Sequence, residues 1–197
     1  MSLTATGATP VSLAGRSLAW RVLAPWTRPS WELRDDERVL ATVRRAHWYG
    51  GTMIAEVEGA RWRLGRIGWF EVGLTPDGAA RPSLIQRGFG WPTDETTQRL
   101  RLSRWRGDAP IERADGHRWY WRQHGFVRDV RWEVLDEREC ALAVFTRTHR
   151  PFRIEGAVQI GDETESRAEA LEAAVFGWYL LLRETARRSH AAAAGGH

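Results

Sequence analysis

Near the end of this chain stand ten consecutive residues without a charge, Ala173 to Leu182 (AAVFGWYLLL). They lie inside a longer run, 166–188, with the composition of a helix. A helix that is apolar all round has no face to offer water, so it must be enclosed by protein or by lipid. Ten residues extend about 15 Å at 1.5 Å per residue. A membrane span needs roughly 20. The remaining solution is a helix threaded through a closed β-structure.

The rest of the chain supplies the strands. Period-two alternation marks Leu18–Leu23, Trp31–Arg34, Arg38–Arg44, Thr52–Glu58, Ala60–Leu64, Ile67–Leu74, Gln98–Trp105, His117–Arg122, Asp129–Leu135, Cys140–Arg147 and Phe152–Val158. Turn residues separate them: Asp35-Asp36-Glu37, Gly50-Gly51, Gly59 and Thr75-Pro76-Asp77-Gly78. Pro82–Thr97 is the least regular stretch. Ser166 and Glu169 have capping-box spacing and set the helix start. Arg183, Arg187 and Arg188 lie at its C-terminal end, where cations suit the helix dipole.

Two internal repeats point to a symmetric meander. Gly59-Ala60-Arg61-Trp62 with Gly68-Trp69-Phe70 matches Gly116-His117-Arg118-Trp119 with Gly125-Phe126-Val127. Trp31-Glu32-Leu33-Arg34-Asp35 matches Trp132-Glu133-Val134-Leu135-Asp136, and an apolar strand follows each. Repeated hairpins close readily into a barrel, which leaves no exposed strand edge. The expected fold is therefore mainly β: a closed antiparallel barrel of about twelve strands around a central hydrophobic C-terminal helix. A single barrel domain is expected over 17–190, with disordered segments at 1–16 and 191–197.

These features resemble the tubby C-terminal-like superfamily, which includes the LURP-one-related proteins and the phospholipid scramblases. The resemblance covers Leu18 to Arg188. It rests on Trp31-Glu32-Leu33-Arg34-Asp35 with its following strand, on Arg61-Trp62 with Gly68-Trp69-Phe70, and on the helix Ala173 to Leu182. It implies a twelve-stranded barrel wrapped around a central helix, here a small stand-alone member of bacterial type. Members of that superfamily bind membranes and phosphoinositides; some scramble lipid, and others associate with DNA. The Cys-rich segment, Pro-rich arm and spanning helix of the scramblases have no counterpart in this sequence. The resemblance thus implies a binding role rather than scramblase chemistry.

Composition narrows the chemistry. The chain has 197 residues and a net charge of +4. All 29 basic residues are Arg, whose planar guanidinium forks onto phosphate and carboxylate. Residues 99–131 hold nine Arg against four acids. Alternation turns Arg61, Arg63, Arg99, Arg101 and Arg118 outward. There they form either an anion-binding face or ordinary solvation of the barrel exterior. An anionic membrane surface or a phosphoinositide-like headgroup would fit such a face, and nucleic-acid phosphates less well. The same alternation turns most of the 12 Trp inward, as core rather than as a base-stacking platform.

The six His show no metal-ligand spacing, and no catalytic signature is present, so no catalytic residue, metal or cofactor is expected. Gly88-Phe89-Gly90 is followed by no helix to cradle phosphate, and Asp94-Glu95 reads as loop. One cysteine, Cys140, excludes an internal disulfide and reads as an inert strand residue. Met1 to Gly15 lacks a basic start and an apolar core, so a cytoplasmic protein is expected, peripheral at the membrane if the partner is lipid. The alternatives to a non-catalytic anion-binding module are a barrel holding a small ligand, with or without enzymatic activity, and a structural protein-interaction domain. A filled lumen favours surface binding.

Overall fold

Alternation becomes twelve strands in the computed structural model, which describes residues 12–24, 29–46, 51–67, 71–78, 98–101, 109–125, 130–150 and 153–194. The strands are β1 (Ser17–Ala24), β2 (Ser30–Asp35), β3 (Arg38–Arg45), β4 (Met53–Val57), β5 (Ala60–Arg66) and β6 (Glu71–Pro76). There follow β7 (Gln98–Arg101), β8 (Ala109–Arg113), β9 (Arg118–His124), β10 (Arg131–Leu135), β11 (Ala141–Arg150) and β12 (Arg153–Ile160). Each pairs antiparallel with its neighbours in sequence, and β1 closes on β12. A long helix, α1 (Arg167–Ala194), follows, the one helix among the described residues. The irregular stretch Pro82–Thr97, with Gly88-Phe89-Gly90 and Asp94-Glu95, lies outside the described residues, as do Gly68-Trp69-Phe70 and the end of the expected Gln98–Trp105 strand.

All of Ala173–Leu182 is buried. Phe176, Trp178, Tyr179, Leu180 and Leu181 are 0% exposed, so the charge-free circumference is enclosed by the barrel. The strands present Leu33, Val43, Leu64, Val72, Leu100, Ile111, Val134, Phe145 and Val158 to it from every side. Of the described Trp residues, Trp20, Trp31, Trp119, Trp121, Trp132 and Trp178 are buried, and Trp62 packs against the core.

Two glycines set the fit between helix and wall. A Cβ at Gly177 would lie 2.5 Å from Phe145 Cε2 and 3.1 Å from Val134 Cγ2, so only a hydrogen fits. Gly156 faces Trp20 in the β1–β12 register, and Trp178 covers the vacated space. Trp20 and Trp178 stack at 5.1 Å with rings 5° from parallel. Such a pair adds about 0.5–1.5 kcal/mol beyond area burial.

Where they are described, the sequence repeats are structural repeats; Phe126-Val127, like Gly68-Trp69-Phe70, lies outside the described residues. Gly59 and Gly116 turn β4 into β5 and β8 into β9, with φ of 85° and 87° that only glycine adopts freely. The Trp31 and Trp132 hairpins carry a β-bulge at the matching place. The register slips between Leu33 and Arg34 in one and between Val134 and Leu135 in the other. The residues skipped, Leu40 and Leu142, are both 4% exposed, so each bulge turns a leucine into the core.

The described elements depart from the expected boundaries at four places. β8 was not among the expected strands, because Pro110 and its charged neighbours argue against one; Ala109 and Ile111 are nonetheless fully buried. β6 runs on through Thr75 and Pro76, leaving Asp77 and Gly78 as the turn. Order begins before Ser17: Leu13 is 1% exposed, and a turn closes through Arg16 N donating to Leu13 O at 3.1 Å. At the other end α1 runs past Arg188 to Ala194, carried by its alanines, the strongest helix formers. Its start is as expected, with Glu169 N donating to Ser166 Oγ at 3.1 Å.

Candidate functional site

The outward arginines fall into two groups, and acids reach most of them. Arg61 meets Asp77 at 2.9 Å and Glu56 at 3.8 Å, and Arg63 meets the same Asp77 at 3.1 Å. Two strands further on, Arg99 pairs with Glu112. The β7–β8–β9 register sets Glu112 between Arg99 and Arg118. Arg118 is exposed, and its main-chain N–H donates to Glu137 Oε1 at 2.8 Å. Arg101 is the last residue of β7, and its side chain lies outside the described residues. Cross-strand ion pairs of this kind stabilise a sheet surface modestly, and they occupy the guanidinium groups that a ligand would need.

The ends of the barrel have a different character, because α1 is polarised along its length. Its first turns carry Glu169 and Glu172, and its later turns carry Arg183, Arg187 and Arg188. At the N-terminal mouth a cavity of about 220 Å³ lies between α1 and β4–β6, lined by Trp62, Leu171, Val175, Glu58 and Glu172 among others. Arg113 stacks over Trp119 at 4.1 Å and meets Glu172 at 3.2 Å. Burial still holds the Glu172 carboxyl above the usual range, against the opposing pull of Arg113 and Gln98. Arg167 closes this mouth onto Glu58 at 2.5 Å.

At the C-terminal mouth a second cavity of about 220 Å³ lies between α1 and the ends of β12, β1, β2, β3 and β4. Among the described residues its lining contains no acid. Trp31, Met53, Ile154 and Leu182 give an apolar floor, Arg45 and Arg183 give two cations from opposite walls, and Thr185 and Ser189 give two hydroxyls. Trp31 is locked there by donating from Nε1 to Ile154 O at 2.8 Å. Arg183 bonds Tyr179 Oη at 3.2 Å. It reaches toward Gly51, where a Cβ would stand 3.8 Å from Arg183 Nη1, an ordinary contact. Arg45 Nε is buried without a hydrogen-bond partner among the described residues. A buried donor of that kind costs about 1–3 kcal/mol until something accepts from it.

Arg147 extends the basic character of this mouth. It reaches Thr185 Oγ1 at 3.4 Å, and its own Nε is buried without a partner among the described residues. Burial, and then repulsion from Arg188, hold its guanidinium below the usual arginine value. Arg187 and Arg188, by contrast, are bound to the buried Glu184 at 2.8 Å each. Burial pushes the Glu184 carboxyl up, but these hydrogen bonds outweigh it and leave it below the usual range. The mouth thus holds three arginines, Arg45, Arg147 and Arg183, with no acidic partner among the described residues.

Alternation could not locate this site. Arg45 follows Arg44 at a strand end and reads as exterior base; only barrel closure brings it opposite α1. The weak signal is Arg183, the first charge after ten uncharged positions, which must emerge at a mouth.

Among the described residues no three His, Cys, Asp or Glu side chains converge on one point. Cys140 sits one residue before β11 rather than within it, and a hydrogen bond with Glu163 raises its thiol. No described helix is long and apolar enough to cross a membrane. The fold and the mouth define a class: a closed twelve-stranded antiparallel barrel with a helix through its lumen and a base-lined cavity at one end. Comparison with protein-family models, with curated proteins and with solved structures finds no match to this chain.

Proposed function

We propose that the protein is a non-catalytic binding module for an anionic partner, a lipid headgroup or another phosphate-bearing molecule, taken at the C-terminal mouth of the barrel. One observation carries the reading: among the described residues Arg45 and Arg183 line a cavity with no acid in its wall, and the buried Arg45 Nε–H has no acceptor. A guanidinium in a partly desolvated site binds an anion through charge-assisted hydrogen bonds about twice as strong as neutral ones. The filled lumen supports binding at the ends rather than inside. We further propose kinship with the tubby-like barrels; its support is the shared plan of twelve antiparallel strands closed around a C-terminal helix. In this reading the protein works in the cytoplasm, at the surface of an anionic membrane or on a soluble anion.

The test is titration calorimetry with inorganic phosphate, inositol hexakisphosphate and vesicles containing anionic lipid, at low and high salt. Arg45→Gln with Arg183→Gln is expected to lower anion affinity at least tenfold. Arg61→Gln with Arg63→Gln and Arg99→Gln removes guanidiniums already paired with Asp77 and Glu112, and is expected to change it less than threefold. The reverse ranking would move the site to the barrel exterior. No binding of any anion at low salt would sink the reading.

A further inference from the structure

The C-terminal cavity is more than a patch of charge, and its shape narrows the ligand. We infer that it takes an amphipathic anion, a single anionic head joined to a short unbranched apolar body; this rests on the anion-binding reading and refines it. Four observations carry the inference. The cations are on the walls, Arg45 on β3 and Arg183 on α1, where they can grip one head from two sides. The floor between them is apolar: Trp31 at 4% exposure, Met53 at 5% and Leu182 at 4%. A multiply phosphorylated sugar would set its hydroxyls against that floor and leave them unpaired, a penalty that burying alkyl groups avoids. The Thr185 hydroxyl, which accepts from Arg147 at 3.4 Å, keeps its own proton to donate beside the head, while Ser189 Oγ is turned back onto Thr185 O at 3.0 Å and keeps lone pairs only.

Size sets the length of the body. Ligand pockets for drug-sized molecules run from about 300 Å³ upward. At about 220 Å³ this one is smaller. With about 30 Å³ for each water-sized group, it holds about seven heavy atoms. A six-carbon chain fills it with the head at the guanidiniums, and further methylenes fall outside.

Calorimetry on the full chain with butanoate, hexanoate, octanoate and decanoate reads this directly, with hexanol, hexylamine and hexyl phosphate beside them. Each methylene buried is worth about a fourfold gain in affinity. The expected result is that gain up to about six carbons and a flat profile beyond. Hexanol and hexylamine should bind at least tenfold more weakly than hexanoate. The ratio of hexyl phosphate to hexanoate reports which head the site prefers. Ser189→Trp, at an exposed lining position, should abolish alkanoate binding while leaving the melting temperature unchanged, and so separates a blocked cavity from a damaged fold. If phosphate binds through Arg45 and Arg183 but alkanoates gain nothing with length, the inference fails and the anion-binding reading stands. If alkanoates bind equally well to Ser189→Trp, the cavity is not their site and the inference fails. If no anion binds at all, both fall.

Discussion

Gly177 concentrates the packing problem of this molecule in one hydrogen atom. Mid-helix glycine costs about 1 kcal/mol relative to alanine, so propensity alone favours replacing it. The Phe145 ring stands where the new methyl would go, and it cannot retreat cheaply: it is 0% exposed and backed by Trp121 at 6.0 Å. Overpacking of this kind costs about 1–3 kcal/mol, so the clash should outweigh the propensity gain. Gly177→Ala is expected to lower the melting temperature and Gly177→Leu to lower it by several degrees more, while Phe145→Leu should rescue Gly177→Ala. A thermal melt showing Gly177→Ala more stable than the parent would contradict the contact. Glu172 gives a residue-scale prediction of a different kind. Its carboxyl titrates higher in the fold than in the unfolded chain, so the unfolded chain releases its proton first as pH rises. The fold therefore loses stability from the ordinary glutamate value, about 4.3, up through the raised one. Glu172→Gln escapes that loss. Its melting temperature should gain on the parent's as pH rises above about 4, and parallel pH profiles for the two proteins would rule the effect out.

At the scale of elements, α1 and the hairpins were legible for separate reasons. The helix announces itself because ten residues without a charge have no alternative to enclosure, and Ser166 marks its start by the bond that Glu169 N makes to it. The hairpins announce themselves through Gly59 and Gly116, which supply the same backbone conformation at matching turns. What stayed hidden has equally physical causes. β8 hides behind Pro110, since a proline inside a strand is tolerated only where its missing N–H is not needed. The bulges at Leu33 and Val134 are invisible to alternation because each breaks the period it rests on. The pairing of Arg61 and Arg63 with Asp77, and of Arg99 with Glu112, depends on register between strands. Alternation could turn those arginines outward but could not show that acids would meet them there. The base-lined cavity was the least legible, being assembled from β2, β3, β4, β12 and α1 only once the barrel closes.

On the scale of the whole molecule, closure and filling are one event. Twelve strands that join β1 to β12 leave a lumen, and α1 is the only described element that occupies it. Neither part is complete alone: the barrel would surround a void, and the helix would expose Phe176, Trp178 and Leu180–Leu182 to water. The account therefore predicts a single cooperative unit, in which the centre of α1 opens only when the barrel does. Native-state amide hydrogen exchange measures this directly. Residues 173–182 should exchange only through global unfolding, with the same opening free energy and the same denaturant dependence as the central amides of β1, β10 and β11. Exchange of residues 173–182 through a smaller, separate opening, while the strands stay protected, would mean that the helix lies against the barrel rather than through it, and would contradict the account.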